Sequence, residues 1–141
     1  MPVPLADLPQ VPPELVHRGE LPPDALFFDT NCALHRDVQR AQQEGRRTLI
    51  SAIVYAELTV RAKDVKRLGI IDANLVDRGL QIVQFDVTSA RCFFDLCRQI
   101  RSDSAPLLRH NQTERACRDR LRFDLVVFAA ALRHRATLIT D

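Results

Sequence analysis

Glycine is scarce in this chain of 141 residues, with four in all and no two adjacent. No glycine-rich phosphate loop can be built from them, and no aromatic-flanked cofactor signal accompanies them. A receiver-like or flavodoxin-like nucleotide binder therefore lacks its fingerprint. No uninterrupted apolar run approaches the length of a membrane span, so no membrane partner is expected. The N-terminus has no basic region followed by an apolar one, so a secretory signal is not expected. The four cysteines, Cys32, Cys92, Cys97 and Cys117, form no C-x-x-C pair. Each lies in an apolar or helical context, which points to free thiols and a reducing, cytoplasmic compartment. His17, His35, His110 and His134 form no H-E-x-x-H pattern and carry no ligand role. The net charge of +2 is too small to name a polyanionic partner.

What is present is an ordinary globular composition, 46% hydrophobic and 27% charged, long enough for one domain with one sizeable core. Seven of the eight prolines crowd residues 1–24. That density forbids regular helix and disfavours a central strand, so the segment is an extended arm on the domain surface or a disordered tail. The domain then occupies 25–141. Short runs at Leu26–Phe28, Thr48–Ile50, Leu80–Phe85 and Thr137–Asp141 read as strands, the last ending in its acid. Helical patterns separate them, over Cys32–Glu44 with Gly45 as its stop, Ala52 to about Asp64 capped by Ser51, and Asp64–Asp77 stopped by Gly79. Two more follow, over Ser89–Ile100 and from about Thr113 to Arg135, with a loop at Ser102–Gln112 between them. Strands alternating with helices give an α/β fold with a mainly parallel sheet.

Two strands run straight into an acid: Phe28 into Asp29, and Ile139-Thr140 into Asp141. In an open α/β sheet, ligands sit at the carboxyl ends of the strands. Two carboxylates delivered to one end suggest a metal site, although Asp29, Thr30 and Asn31 are equally good helix caps. Glu57 sits among apolar residues on the helix after the second strand; it is a site acid or a solvated charge on that helix's polar edge. Asp124 heads the apolar run Leu125–Leu132, where a carboxylate is costly unless paired. Arg120, Arg122, a helix N-terminus or a shared metal are the candidate partners. Between Arg98 and Arg135 nine arginines face four acids, a local excess suited to phosphate or to solvent.

Taken together, Phe28-Asp29-Thr30-Asn31, Ser51–Leu58, Asp124–Leu132 and Ala136–Asp141 resemble the PIN-domain ribonucleases, and most of all the VapC-like toxins of type II toxin–antitoxin systems. The resemblance covers roughly residues 26–141. It implies a three-layer α/β/α domain with a central, mainly parallel sheet, Mg²⁺ or Mn²⁺, and hydrolysis of RNA. On that reading Asp29, Asp124 and Asp141 hold metal, directly or through water, and Glu57 binds metal or positions the attacking water. Thr30, Asn31 and Thr140 orient carboxylates or touch phosphate, and Arg118, Arg120 and Arg122 steer RNA. An antitoxin protein and a homodimer are the implied partners. The family continues past the final Thr-Asp into a last strand, whereas this sequence stops at Asp141, and the proline-rich leader is unusual for it. A non-catalytic PIN-like domain that binds RNA or a protein partner is the alternative.

Overall fold

A computed structural model describes Pro2 and residues 4–34, 36–102 and 114–140, with backbone alone over 100–102 and 114–121. Four strands form one sheet: β1 (Leu26–Phe28), β2 (Thr48–Ser51), β3 (Gln81–Val83) and β4 (Thr137–Ile139). Five helices connect them: α1 (Arg36–Gln43), α2 (Ala52–Thr59), α3 (Val65–Asp77), α4 (Val87–Ser102) and α5 (Glu114–Arg133). The strand order is β3-β2-β1-β4 and every pairing is parallel. The chain thus winds outward from β1 through β2 to β3, then returns to place β4 on the other side of β1. The point where winding reverses lies between β1 and β4.

Side chains alternate across the pleat. Leu26, Phe28, Ile50 and Ile82 point into a core shared with Val38 and Ala41 of α1, Val54 of α2 and Leu75 of α3. Phe27, Leu49 and Val83 point the other way, onto Ala131 of α5. Helix α4 packs on α5. The result is an α/β/α sandwich whose central strands are buried on both faces, as continuous apolar runs in a parallel sheet require. On the α5 side the His134 ring stacks on Phe27 with centroids 5.9 Å apart. Burial is the main cause holding that imidazole below its ordinary pKa, so it packs as a neutral ring.

Local chemistry sets the helix ends. Ser51 accepts the Val54 N–H at 3.2 Å and starts α2. Asp64 does the same for α3 through the Arg67 N–H at 2.8 Å. Helix α1 ends where Gly45 turns left-handed (φ 76°), with the N–H groups of Gly45 and Arg46 closing on the carbonyls of Gln42 and Ala41. The same closure ends α5 at Arg135 (φ 53°), a conformation that an L side chain adopts at a cost.

Several boundaries differ from the sequence expectation. Helix α1 begins at Arg36 rather than Cys32, because the Asp29 carbonyl takes the N–H groups of Cys32 and Ala33 and holds the segment as a turn. Helix α2 stops at Thr59, whose hydroxyl bonds back to the carbonyls of Tyr55 and Ala56. On α2 it is Val54 that is fully buried, while Ala56 and Val60 face solvent. The third strand is trimmed to Gln81–Val83. Residues 103–113, which include most of the expected loop at Ser102–Gln112, lie outside the described residues.

The leader divides. Residues 13–17 lie along the domain: Leu15 is fully buried in the first core cluster, Val16 bridges to Ile82, and the His17 N–H reaches the Ile82 carbonyl at 3.0 Å. This contact covers the outer edge of β3, which would otherwise present unpaired backbone groups.

Candidate active site

Because the sheet is wholly parallel, all four strands deliver their carboxyl ends to one side. Asp29 is the first residue beyond β1, at the reversal point between β1 and β4. Its N–H bonds the Ile139 carbonyl at 3.0 Å, which ties the site to both strands. One carboxylate oxygen accepts the Thr30 N–H at 2.7 Å. Burial raises the Asp29 carboxyl above the ordinary carboxylate range; the Thr30 N–H opposes this, and the charges of Asp124 and Glu57 push it further up. No cation pairs with Asp29 among the described residues.

Glu57 arrives from the next element. The Ser51 cap fixes the start of α2, and Glu57 follows on its last turn, half-buried. The Thr30 hydroxyl donates to the Glu57 carboxylate, so the residue after Asp29 holds the second acid in place. Asp124 comes from α5. Together with Asp29 it lines a cavity of about 460 Å³. The sheet side of this cavity is made by Asp29, Asn31, Leu138 and Thr140, and the helix side by Asp124, Leu125, Val127 and Phe128.

Asp124 and Glu57 are therefore each within electrostatic reach of Asp29, and Asn31 and Thr140 line the cavity that Asp29 and Asp124 share. Asp141 lies outside the described residues, as do the side chains of Arg118 and Arg120; Arg122 is exposed. One expectation needs correction. Asp124 does not head a buried helix. It sits within α5 and is exposed, so neither a helix N-terminus nor a burial penalty acts on it. Nor is the apolar run after it buried on most sides. Val127, Ala129, Ala130 and Ala131 are buried, whereas Phe128 is 46% and Leu132 43% exposed. Helix α5 covers the sheet with one face and turns the other outward, and apolar residues fill both.

Among the described residues, no group of three or more His, Cys, Asp and Glu is placed so that it could hold a metal ion, so Asp29, Glu57 and Asp124 do not form a three-ligand set. A small number of carboxylate oxygens in an open cleft suits Mg²⁺ or Mn²⁺, which take hard oxygen ligands; Mg²⁺ in particular keeps several waters. The donor chemistry of Asp29 and Asp124 fits that class of ion.

Two features escaped the sequence reading. Phe128 was absorbed into an apolar run, although its spacing of four from Asp124 places both on one helix face. The pairing of the half-buried Tyr55 with the buried Asp72, joined at 2.7 Å between α2 and α3, has no local sequence signal.

No family model matches the chain, and no curated protein sequence matches it. The comparison with solved structures does find a relation. The chain is similar to one in the crystal structure of VapBC2 from Rickettsia felis bound to a DNA fragment from their promoter, with a TM-score of 0.56. The match covers 82% of this chain and 86% of that one, at 18% sequence identity. The fold is PIN-like. At that identity the likeness concerns the fold, and the PIN-like sheet accounts for where the acids stand. Their chemistry follows from this chain's own residues.

Proposed function

We propose that this protein is a Mg²⁺- or Mn²⁺-dependent endoribonuclease of the toxin type, acting at the cleft between β1, β4 and α5. One observation carries the reading: Asp124 and Glu57, from two different helices, each bring like charge to Asp29 at the sheet's reversal point, and no cation among the described residues neutralises Asp29. Acids that merely stabilise a fold are paired; a set that repels is arranged for a ligand.

Asp29 and Asp124 would hold the cation; Asp141, which the resemblance implies as a further ligand, lies outside the described residues. When bound, the metal supplies a water activated at neutral pH and charge stabilisation for the leaving oxygen. Glu57, oriented by the Thr30 hydroxyl, positions the attacking water and accepts its proton. The water oxygen attacks phosphorus, the bond to the 3′ oxygen breaks, that oxygen takes a proton from solvent water, and the products are a 5′-phosphate and a 3′-hydroxyl. Asn31 and Thr140, on the cavity wall, orient the carboxylates or the phosphate. Arg118, Arg120 and Arg122, on the turns of α5 before Asp124, draw RNA toward the cleft through its backbone charge. By analogy with the VapBC2 complex, a protein antitoxin is the proposed regulatory partner. A homodimer is the proposed assembly, and a sedimentation profile showing only monomer at micromolar concentration would refute it. The proposed compartment is the cytoplasm. Cys92 and Cys97 are free thiols, and among the described residues no helix is long and apolar enough to cross a membrane.

The test is cleavage of single-stranded and structured RNAs, with end mapping, in Mg²⁺ or Mn²⁺ and in excess chelator. Cleavage confined to the metal arms and leaving 5′-phosphates is expected. Equal cleavage in chelator would overturn the metal mechanism. No cleavage of any RNA would leave the binding-module alternative.

A further inference from the structure

The cleft is lined by acidic and polar side chains and by apolar ones, and only the former are used above. Phe128 follows Asp124 by four residues, so the two side chains share a face of α5 about 6 Å apart along its axis. Both line the 460 Å³ cavity, a size typical of small-molecule sites. Helix α5 places its small residues, Ala129, Ala130 and Ala131, against the domain, each at most 3% exposed, and leaves the larger Phe128 46% exposed. Exposed apolar side chains are common on surfaces, and Phe94 on α4 is one. Phe128 differs because it lines the same cavity as Asp29 and Asp124, together with the aliphatic Leu125 and Leu138.

Resting on the ribonuclease reading, we infer that Phe128 is a stacking platform for the nucleobase next to the scissile phosphate. A nucleotide is amphipathic in the way this cleft is. Its phosphate needs a cation between it and Asp29 and Asp124, and its base offers a flat, uncharged face. An aromatic ring stacks on any base, and such contacts are sequence-tolerant. Phe128 thereby fixes the position of the phosphate relative to the acids without touching the reacting atoms. It is a positioning residue, and its loss acts on substrate binding ahead of the chemical step.

The experiment combines Phe128→Ala, Phe128→Leu and Phe128→Trp with Phe94→Ala as a surface control. Steady-state cleavage is measured in Mg²⁺ on an intact RNA and on RNAs with an abasic site on either side of the scissile bond. Phe128→Ala is expected to raise KM roughly 5- to 150-fold, the range for losing one base–aromatic stack, with kcat little changed. Phe128→Trp retains the parent KM, Phe128→Leu behaves as Phe128→Ala, and Phe94→Ala is silent. An abasic site at the stacked position brings the parent to the level of Phe128→Ala and leaves that variant unaffected. A second readout does not need cleavage: in Ca²⁺, 2-aminopurine at that one position is quenched by the parent and not by Phe128→Ala. Rescue by Phe128→Leu would make the ring a mere apolar filler and overturn the inference. A parent that cleaves RNA while Phe128→Ala matches it in KM and quenching would overturn the inference and leave the nuclease standing. A shift in sedimentation with unchanged KM would assign Phe128 to an interface between copies of the chain and overturn it too. A parent that neither cleaves nor quenches any RNA would remove both the nuclease reading and this inference.

Discussion

Asp72 and Asp29 both lie near α2, and they live in opposite surroundings. Asp72, on α3, is 4% exposed and accepts the Tyr55 hydroxyl at 2.7 Å. The phenol is correspondingly held above its ordinary pKa, by burial first and then by its bond to Asp72, and remains a neutral donor. Asp29 is less buried, yet the charges it meets from other elements are those of Asp124 and Glu57. Depth of burial therefore does not separate the paired acid from the one proposed for the site. What faces each does: a neutral hydroxyl donor at Asp72, two like charges at Asp29. A satisfied acid ties two helices together, whereas a set of like charges leaves a place for a cation.

The largest way to test this contrast is through activity. Asp124→Asn keeps shape and hydrogen-bonding capacity but removes one charge. It is expected to lower RNA cleavage at least about 100-fold, the scale of losing a group that acts on the reacting centre. Activity within a few-fold of the parent would place Asp124 outside the site. Next comes the structural half of the comparison. Tyr55→Phe strands the buried Asp72 carboxylate and should destabilise the fold by about 3 kcal/mol in urea unfolding. A change below half that would mean that the pair holds little.

A smaller effect sharpens the comparison through pH, using Asp86 as a third acid. Asp86 caps α4: it accepts the Ser89 N–H and hydroxyl at 2.8 and 2.9 Å and pairs with Arg133 of α5 at 3.3 Å. The Ser89 N–H bond is the main cause that holds its carboxyl below the ordinary range. Its contribution is present above the ordinary carboxylate pKa and is lost as pH falls through its folded value. Asp29 has the opposite sign. Its folded pKa is raised, so its penalty is absent in acid and develops as pH rises through the carboxylate range. Asp86→Asn should thus melt lower than the parent at neutral pH and converge with it in acid. Asp29→Asn should melt at or above the parent at neutral pH, and that gain should vanish in acid. Parallel shifts of both variants at every pH would refute the contrast. The smallest effect belongs to the turn that sets β4 beside β1: Arg135→Gly relieves a left-handed residue and should stabilise by about 1 kcal/mol, read as a raised melting temperature.

Much of this architecture is legible along the chain because it is encoded locally. Leu26–Phe28 is legible with its observed bounds because a short apolar run ends at a polar residue, whereas the last strand stops at Ile139, short of the expected Asp141. Ser51 caps α2, and Gly45 and Gly79, with φ of 76° and 69°, sit where left-handed closure ends a helix. Other features depend on tertiary placement. Periodicity marks Asp124 and Phe128 as helical but does not say which face of α5 meets the sheet, so an exposed acid read as buried and a cleft-lining phenylalanine read as core. The pairing of Tyr55 with Asp72, 17 residues apart, is invisible for the same reason. Among the acids, the convergence of Asp29, Glu57 and Asp124 depends on the order β3-β2-β1-β4, which no single segment encodes.

The most direct test of the claim that these acids are built around a cation is a thermal melt at neutral pH of the parent and Asp29→Asn, each with and without Mg²⁺. The account predicts that Mg²⁺ raises the parent's melting temperature by selective binding to the folded state. It also predicts that the metal-free variant melts no lower than the metal-free parent and gains less from Mg²⁺. A parent indifferent to Mg²⁺, together with a variant that melts well below it, would contradict the account and make Asp29 a structural acid like Asp72.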